Sequence, residues 1–427
     1  MLKIIKFFCF LLFITLISVN ASAQSELDKA NVKLGLKILQ TQIAEDEGNF
    51  VISATSVYTI AAMLAVGAEG LAREELRQNI LAPDGIAVQN TDFSDTPNMP
   101  SQAVEINNAI WGDDFDTDYK SIMQNTLLAD AFPRPKTTEE INDWIKQKTK
   151  GRISSLIMNK KTQVGDLYLV NTIYFKDKWR FPFKKKNTKE MPFYSLNQSA
   201  PDHVMMMFQQ EIADYYEDDK MQALRLTYLN GDSIQFFLPR KSVDFVSFLK
   251  NLTVKDLQPE YDSSAEVKIY LPKFEVNYQI DDMRKIFEKL GIHRIFQKYD
   301  EPLKHISPIP HFIRQIVHIA NIKIDEEGTV AAAATATELQ ELGMEIFEQI
   351  KEREFKADRP FLFMINNGLF IGLYTKPDEM FAERFSDDET TPSQEGFFSR
   401  LIKKLFGRRN ADDENDDTEW KSMYYED

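Results

Sequence analysis

The sequence predicts an α+β fold, because helical patterns occupy its first part and strand-like patterns follow later along the chain. Residues 26–45 place valine, leucine and isoleucine side chains near helical spacing, and Ser56–Val66 and Glu74–Ile80 also favour helices. Leu167–Phe175 is rich in β-branched and aromatic residues, which is typical of a buried strand. Because helices and strands are segregated rather than alternating, we expect antiparallel sheets.

The remaining elements are predicted in order along the chain. Residues 82–103 are polar and contain proline, which indicates a loop, and the acidic run at 114–118 is expected to be a solvated loop as well. Ile141 begins a helix that Gly151 ends. Further strand-like runs lie at 222–228, 233–238, 266–276, 314–324 and 361–365. Asn367-Gly368 can supply positive φ angles, which predicts a tight hairpin after the last of these runs.

The first 23 residues have the layout of a secretory signal peptide. Lys3 and Lys6 form a basic start, residues 7–19 are apolar, and Ala21-Ser22-Ala23 is a small-residue cleavage site. Cleavage after residue 23 removes Cys9, the single cysteine of the chain, so the mature protein is expected to contain no disulfide, no thiol nucleophile and no cysteine metal ligand. We therefore expect a secreted, extracellular protein.

Composition and motifs exclude several classes of function. The signal peptide contains two of the 51 basic residues, so 49 remain against 66 acidic ones and the mature net charge is −17, which disfavours nucleic-acid binding. No lysine or arginine occurs between Arg77 and Lys120, so no heparin-type site is evident there. The motifs of zinc proteases, serine hydrolases and phosphate-binding loops are absent, and we expect neither a cofactor nor a metal site. Asn197 and Asn251 begin glycosylation acceptor triplets.

The segment at 325–343 stands out because many of its side chains are small. Local propensity favours a helix, since Asp325 can cap it and alanine is the best helix former. Gly328, in what would be the first turn, and the threonines among the alanines argue against a helix. Small side chains also suit a strand that slides between two neighbours. The local pattern leaves both structures open.

This segment resembles the proximal hinge of the reactive-centre loop in inhibitory serpins. The matching residues are an acidic residue, a glycine, a threonine and a run of alanines, namely Glu326, Gly328, Thr329, Ala331, Ala332, Ala333 and Ala334. Other serpin-like motifs occur in order, at 49–53, 141–144, 169–176, 271–274 and 358–363. The resemblance covers about residues 26–377. It implies a serpin domain at 24–377, with about eight to nine helices around three β-sheets and an exposed reactive-centre loop at about 326–355.

The resemblance implies a suicide inhibitor rather than an enzyme. In serpins the target protease attacks the loop, forms an acyl-enzyme and is trapped when the cut loop inserts into the main sheet. Counting sixteen residues on from Glu326, as the family does, places the reactive bond at Leu342-Gly343, with bonds after Met344 and Phe347 as alternatives. Leucine at this position suits an extracellular serine protease of the chymotrypsin-like or elastase-like type. The alternative function is a non-inhibitory binding or carrier protein with the serpin fold.

The resemblance also implies a latch below the strands that part during insertion. Its members are Ser53, Ser56, Asn171 and His318, with Trp179 at the top of the main sheet. Buried polar groups need hydrogen-bond partners, so such a cluster can hold two strands together until it breaks. We expect the protein to be a monomer that forms a covalent complex with its protease.

Residues 378–427 form an acidic C-terminal tail with 7 basic and 15 acidic residues. Within the tail, residues 396–409 place phenylalanine, leucine and isoleucine on one half of a helix and basic side chains on the other. This pattern is typical of a basic amphipathic helix that docks on an anionic membrane or on a partner. The alternative is a surface helix that packs on the body of the protein.

Overall fold

The computed structural model describes residues 28–43, 48–81, 103–153, 160–298, 301–329 and 353–377. These residues contain seven α-helices, which are α1 (28–42), α2 (Ala54–Gly67), α3 (Gly70–Leu76), α4 (Thr117–Asn125), α5 (Glu139–Lys148), α6 (Phe245–Asn251) and α7 (Arg284–Lys289). A π-helical turn over Arg77–Leu81 continues α3. No helix of the described part is both long and apolar enough to cross a membrane.

Fifteen strands in the described residues form three sheets. They are β1 (Phe50–Ile52), β2 (Val104–Gly112), β3 (Ala129–Pro133), β4 (Asp166–Phe175), β5 (Lys189–Phe193), β6 (Asp202–Ile212), β7 (Asp214–Glu217), β8 (Met221–Thr227), β9 (Ser233–Pro239), β10 (Glu266–Pro272), β11 (Phe274–Ile280), β12 (Phe312–Ile324), β13 (Arg353–Lys356), β14 (Phe361–Ile365) and β15 (Phe370–Tyr374). The main sheet has the order β11-β12-β4-β2-β3. The second sheet is β1-β15-β14-β9-β8-β7, and the third is β13-β10-β6-β5.

The α+β fold is confirmed, and the expectation of antiparallel sheets holds for the second sheet but not for the main and third sheets. β4 and β12 pair in parallel, from Asp166 opposite Phe312 to Tyr174 opposite Asn321. β2 with β3 and β10 with β13 are parallel pairs as well. Parallel neighbours need a long connection, and most of the second and third sheets lies in the sequence between β4 and β12. A pattern read along the chain cannot reveal that these two strands meet.

Two local predictions also differ from the structure. The run at 266–276 is two strands in different sheets, because β10 ends at Pro272 and β11 begins at Phe274. The acidic run at 114–118 is not only a loop. Asp116 caps α4 through a hydrogen bond from the Asp118 N–H at 2.9 Å, since a side-chain oxygen can satisfy a free N–H of the first helical turn.

Other local predictions agree with the structure. Each of the ten residues of β4 is buried, as a central strand covered on both faces requires. The helix predicted from Ile141 is α5, and the chain leaves it through Lys150 and Gly151, whose φ angles are 54° and 79°. The hairpin between β14 and β15 turns on three residues of positive φ, Asn366, Asn367 and Gly368.

The core lies on both faces of the main sheet. α2 is buried along almost its whole length and packs in one cluster with Leu167 and Leu169 of β4 and with β14 and β15 of the second sheet. α5 covers the opposite face of the main sheet. The main sheet is therefore the middle layer, and its central strands are buried over all of β4 and over residues 316–322 of β12.

Candidate functional site: the hinge and the main-sheet seam

Strand β12 runs directly into the hinge at 325–329, which packs against the chain that leaves β4. Gly328 has a φ of 137°, a conformation that favours glycine, and it forms a β-bridge with Lys178. A Cβ added at this position would lie 2.2 Å from the carbonyl oxygen of Asp177. The Thr329 N–H donates to the same oxygen at 2.6 Å. The site therefore requires glycine, and the described part of the segment is a turn rather than a helix.

Trp179 holds the hinge from the β4 side. Its backbone N–H donates to the carbonyl of Glu327 at 3.0 Å, and its indole Nε1–H donates to the carbonyl of Asp325 at 2.8 Å. The buried indole stacks on the ring of Tyr228, with centroids 4.6 Å apart and an interplanar angle of 8°. The hydroxyl of Tyr228 lies 3.1 Å from Oγ1 of Thr329. Trp179 and Tyr228 thus contact residues at both ends of the hinge.

Glu326 anchors the hinge through a buried ion pair. Its Oε2 lies 3.0 Å from Nζ of Lys273, and its Oε1 accepts a hydrogen bond from Oγ1 of Thr188 at 2.8 Å. The two charged side chains are only 5% and 12% exposed. Burial acts to raise the pKa of Glu326, but the hydrogen bonds from Thr188 and Lys273 outweigh it and hold the pKa below its ordinary value. Glu326 is therefore ionised at neutral pH and ties the hinge to the corner between β10 and β11.

Below the hinge, a chain of hydrogen bonds crosses the parallel pairing of β4 and β12, which we call the seam. The Ser53 N–H donates to His318 Nε2 at 3.4 Å, and His318 Nδ1 lies 2.8 Å from Asn171 Oδ1. Asn171 Nδ2 in turn donates to Asn108 Oδ1 at 2.7 Å. Because Nε2 accepts, the ring proton belongs on Nδ1 and donates to Asn171. His318 and Asn171 are register partners on β12 and β4, so their bond spans the seam.

The latch residues contribute to this series of hydrogen bonds in different ways. Ser53 caps α2, since its Oγ accepts from the Ser56 N–H at 3.0 Å. The hydroxyl of Ser56 has no hydrogen-bond partner among the described residues, so Ser56 contributes through its backbone. Burial lowers the pKa of His318 to about 3, which keeps the ring neutral at physiological pH. Asn108 was not predicted, because it is the second of two adjacent asparagines in β2 and no local pattern distinguishes it from Asn107.

α5 closes the outer face of the seam. Val170 and Val317, which are register partners across the seam, share one apolar cluster with Trp144 and Ile145 of α5. Trp144 also packs edge-on against Trp111 of β2, with ring centroids 5.5 Å apart. A strand that entered the seam would therefore have to separate β4 from β12 and displace the contacts of α5.

Several predicted residues lie outside the described part of the chain. They are the signal peptide at 1–23, the hinge alanines Ala331 to Ala334, the candidate bonds at Leu342-Gly343, Met344 and Phe347, and the tail with its segment at 396–409. The two glycosylation acceptors are described, and Asn197 and Asn251 are both exposed. Within the described residues, no three histidine, aspartate or glutamate side chains are grouped so as to hold a metal ion.

The family model of Serpin (serine protease inhibitor) matches residues 29–377. The chain belongs to the serpin family. Among curated proteins, this serpin is 29% identical over 384 residues to the leukocyte elastase inhibitor of Equus caballus, with 82% of this chain and 100% of that protein covered. It is 27% identical to an uncharacterized serpin-like protein of Methanosarcina mazei, with 80% and 84% covered.

Solved structures confirm the serpin fold. Serpin48 of the insect Tenebrio molitor matches with a TM-score of 0.71 at 21% identity, covering 83% of this chain and 99% of that chain. The native-state structure of tengpin, a thermophilic serpin, matches with a TM-score of 0.70 at 24% identity, covering 82% and 94%. Human thyroxine-binding globulin in complex with its ligand matches with a TM-score of 0.70 at 20% identity, covering 84% and 100%. At these identities the structures establish the fold alone.

Proposed function

We propose that this serpin is a secreted suicide inhibitor of serine proteases. The protease cleaves the reactive-centre loop, forms an acyl-enzyme and is trapped when the cut loop enters the seam as a new strand. The target is a chymotrypsin-like or elastase-like extracellular protease, and the reactive bond is Leu342-Gly343. The protein acts as a monomer and needs no cofactor.

The parallel seam beside the hinge is the observation that carries this proposal. The loop begins where β12 ends, and β12 lies parallel to β4 over the whole seam. A strand that folds back from the hinge into the seam would be antiparallel to both neighbours. Insertion would thus exchange one parallel pairing for two antiparallel ones, which are slightly more stable per residue. It would also bury the new strand on both faces.

The sequence of the loop suits such a strand. From Thr329 to Ala336 all side chains are small, so they fit between the α2 side of the main sheet and the α5 side. An extended strand from Gly328 to Leu342 would be about 50 Å long at about 3.3 Å per residue. A protease that remained bound to Leu342 would be carried roughly that distance along the sheet.

The relatives and the loop sequence support the same class of target. Leucine at the reactive bond suits an apolar primary pocket, and leukocyte elastase inhibitors are among the relatives. The alternative is a carrier that has the serpin fold and no longer inhibits. Bulky, charged or proline residues at the hinge would favour the carrier, and none occurs between Gly328 and Thr337.

Incubation with chymotrypsin and with a leukocyte-type elastase tests the proposal directly. We expect an SDS-resistant complex, and mass spectrometry of the released peptide should place the cut after Leu342. The cleaved protein should melt at a higher temperature than the intact one, because the inserted strand adds pairing and burial. Cleavage with no complex and no rise in melting temperature would favour the carrier instead.

A reversible disulfide across the seam tests whether insertion traps the protease. Val170→Cys with Val317→Cys joins register partners of β4 and β12, and the mature chain has no other cysteine. The oxidised variant should be cleaved without trapping, and reduction should restore the complex. Ala109→Cys with Val170→Cys is the matched control, since it joins β2 to β4 and leaves the seam free. Trapping by the oxidised seam variant would contradict the insertion mechanism.

Secretion, glycosylation and the tail need separate tests. N-terminal sequencing of protein recovered from culture medium should begin at Gln24, and a glycosidase should reduce its mass if the exposed Asn197 or Asn251 carries a glycan.

A peptide of residues 396–409 should bind vesicles of anionic lipid and not neutral ones. Equal binding to both vesicles, or to neither, would remove the membrane role of the tail.

A further inference from the structure

The chain contains two Asn-Gly dipeptides, Asn230-Gly231 and Asn367-Gly368. An asparagine in this setting can lose its side-chain amide without an enzyme, because the next residue has no Cβ to hinder the approach of its backbone nitrogen to the amide carbon. The reaction needs an accessible asparagine and a backbone that is free to turn. The structure gives these two properties to one of the dipeptides and denies them to the other.

Asn230-Gly231 lies in the turn between β8 and β9 and is open to water. Both residues are exposed, and a Cβ added to Gly231 would have no atom within 4 Å. The Gly231 N–H donates to the carbonyl of Tyr228 at 3.2 Å, which is the long end of the usual range. The nitrogen that has to attack therefore lies in open surroundings and is weakly held.

The side chain of Asn230 is folded over this turn. Its Oδ1 accepts a hydrogen bond from the Asp232 N–H at 2.8 Å, which closes an Asx turn around the peptide of Gly231. Its Nδ2 donates to Oδ2 of Asp232 at 2.5 Å. The bond to Oδ1 brings the amide carbon toward the Gly231 nitrogen, and it also polarises the amide carbonyl toward attack.

Asn367-Gly368 is enclosed by the fold. Asn367 is half-buried, and its Nδ2 donates to Oδ2 of Asp28 at 3.2 Å. Gly368 is buried, and an added Cβ would lie 3.0 Å from backbone atoms of Asn31 and Val32. A backbone nitrogen packed this closely cannot turn toward the preceding amide, so the fold protects this second dipeptide.

We propose that Asn230 is a site of spontaneous deamidation and that its product weakens the docking of the hinge. The Gly231 nitrogen loses its proton and attacks the amide carbon of Asn230. A new C–N bond forms, and the side-chain nitrogen leaves as ammonia. Water then opens the cyclic imide at either of its carbonyls and yields aspartate or isoaspartate. No electrons are transferred, and water is the co-reactant.

Asp177 and Tyr228 connect the turn to the hinge. The Asn230 N–H donates to Oδ2 of Asp177 at 3.4 Å, and the carbonyl of Asp177 accepts from the Thr329 N–H at 2.6 Å. The hydroxyl of Tyr228 lies 3.1 Å from Oγ1 of Thr329. Deamidation replaces the Nδ2 donor that faces Asp232 with a negatively charged oxygen, so like charges meet and the turn loosens. Two unit charges about 4 Å apart in water repel enough to shift an equilibrium about fivefold.

Incubation of the intact protein at pH 8, followed by peptide mass spectrometry, tests the site. We expect the mass change from amide to acid to be at least about tenfold faster at Asn230 than at Asn367, the matched control within the same chain, because a misplaced nucleophile loses that much or more. The rate should rise by about tenfold or more from pH 6 to pH 8, since the attacking nitrogen must lose its proton.

The products identify the route. Ring opening should give isoaspartate together with aspartate at position 230, and Asn230→Gln should show no mass change over the same time, since its side chain would have to close a larger ring. Equal rates at Asn230 and Asn367, or aspartate without isoaspartate, would overturn the proposal.

Hydrogen exchange at the hinge tests the consequence of the new charge. The backbone N–H groups of Trp179 and Thr329 should exchange about fivefold faster in Asn230→Asp than in the wild type. Asn367→Asp is the matched control, because it also sets a carboxylate against an aspartate, Asp28, but in the other Asn-Gly turn. Equal exchange in Asn230→Asp and the wild type would overturn the coupling of the turn to the hinge. Both measurements are made without a protease, so a failure of the proposed inhibitory function would leave them unchanged.

Discussion

Gly328→Ala should destabilise the intact protein and leave the loop-inserted form unchanged. In the intact form Gly328 has a φ of 137°, and a Cβ would lie within 2.8 Å of three backbone atoms of Asp177, Lys178 and Trp179. Backbone cannot move aside as a side-chain end can, so the hinge itself has to leave its place. In the inserted form residue 328 would be part of an extended strand, a conformation that alanine adopts without strain.

The size of the effect follows from what the hinge loses. A strained backbone conformation costs about 1–3 kcal/mol. The hydrogen bonds from Thr329 N–H to Asp177 and from Trp179 N–H to Glu327 contribute about 1 kcal/mol each. The total is about 3–5 kcal/mol. With an unfolding entropy of about 2.1 cal/mol/K per residue over roughly 350 residues, the melting temperature should fall by about 4–7 °C.

Differential scanning calorimetry of the intact and cleaved proteins tests this reasoning. Gly231→Ala is the matched control, because Gly231 also has a positive φ, 94°, but has no atom within 4 Å of an added Cβ. The control should lower both melting temperatures alike, by about 1–3 °C, since alanine is strained at this positive φ but its Cβ meets no neighbouring atom. Equal shifts of the two forms in Gly328→Ala would refute the idea that the hinge is held by close backbone packing.

Three further outcomes follow from the same site. Glu326→Gln should cost about 3–5 kcal/mol in urea unfolding, because it removes the negative charge that pairs with the buried amine of Lys273. Adding Lys273→Met should recover most of this loss, and a double variant as unstable as the single one would contradict the role of the ion pair. The pKa of His318 is lowered to about 3 in the fold, so the neutral ring contributes stability that is present above pH 6.5 and lost as the pH falls. Between pH 7.5 and pH 5 the free energy of unfolding should fall by about 2 kcal/mol for this reason. The free energy of unfolding of His318→Gln should fall by less over the same range. An equal fall in the two proteins would mean that the fold does not keep His318 neutral. Leu342→Arg should move inhibition from chymotrypsin-like to trypsin-like proteases, and an unchanged target would place the reactive bond elsewhere.

Much of the fold and of the site was predictable because local chemistry marks it. Gly328 is recognisable since only glycine fits a position with positive φ and backbone on three sides. The buried strand β4 is recognisable because a strand covered on both faces needs an unbroken run of apolar and β-branched residues. His318 and Asn171 were predicted together by the family motif, and the structure places them 2.8 Å apart.

Other partners could not be predicted, because their roles depend on long-range contacts. Nothing near Lys273 in the sequence indicates that its amine meets Glu326, since the two residues lie on different segments that only the folded sheets bring to one corner. Asn108 is likewise an ordinary polar residue until β2 pairs with β4 and sets it opposite Asn171.

The sequence by itself determined the threonines among the alanines, the small side chains and the glycine of the hinge. These properties belong to single residues and their neighbours along the chain. The tertiary structure alone decided that β4 and β12 lie parallel and in contact, with α2 beneath them and α5 above. This difference has a physical cause. Strand propensity is a local property, whereas the choice of a neighbouring strand depends on how distant segments share one core.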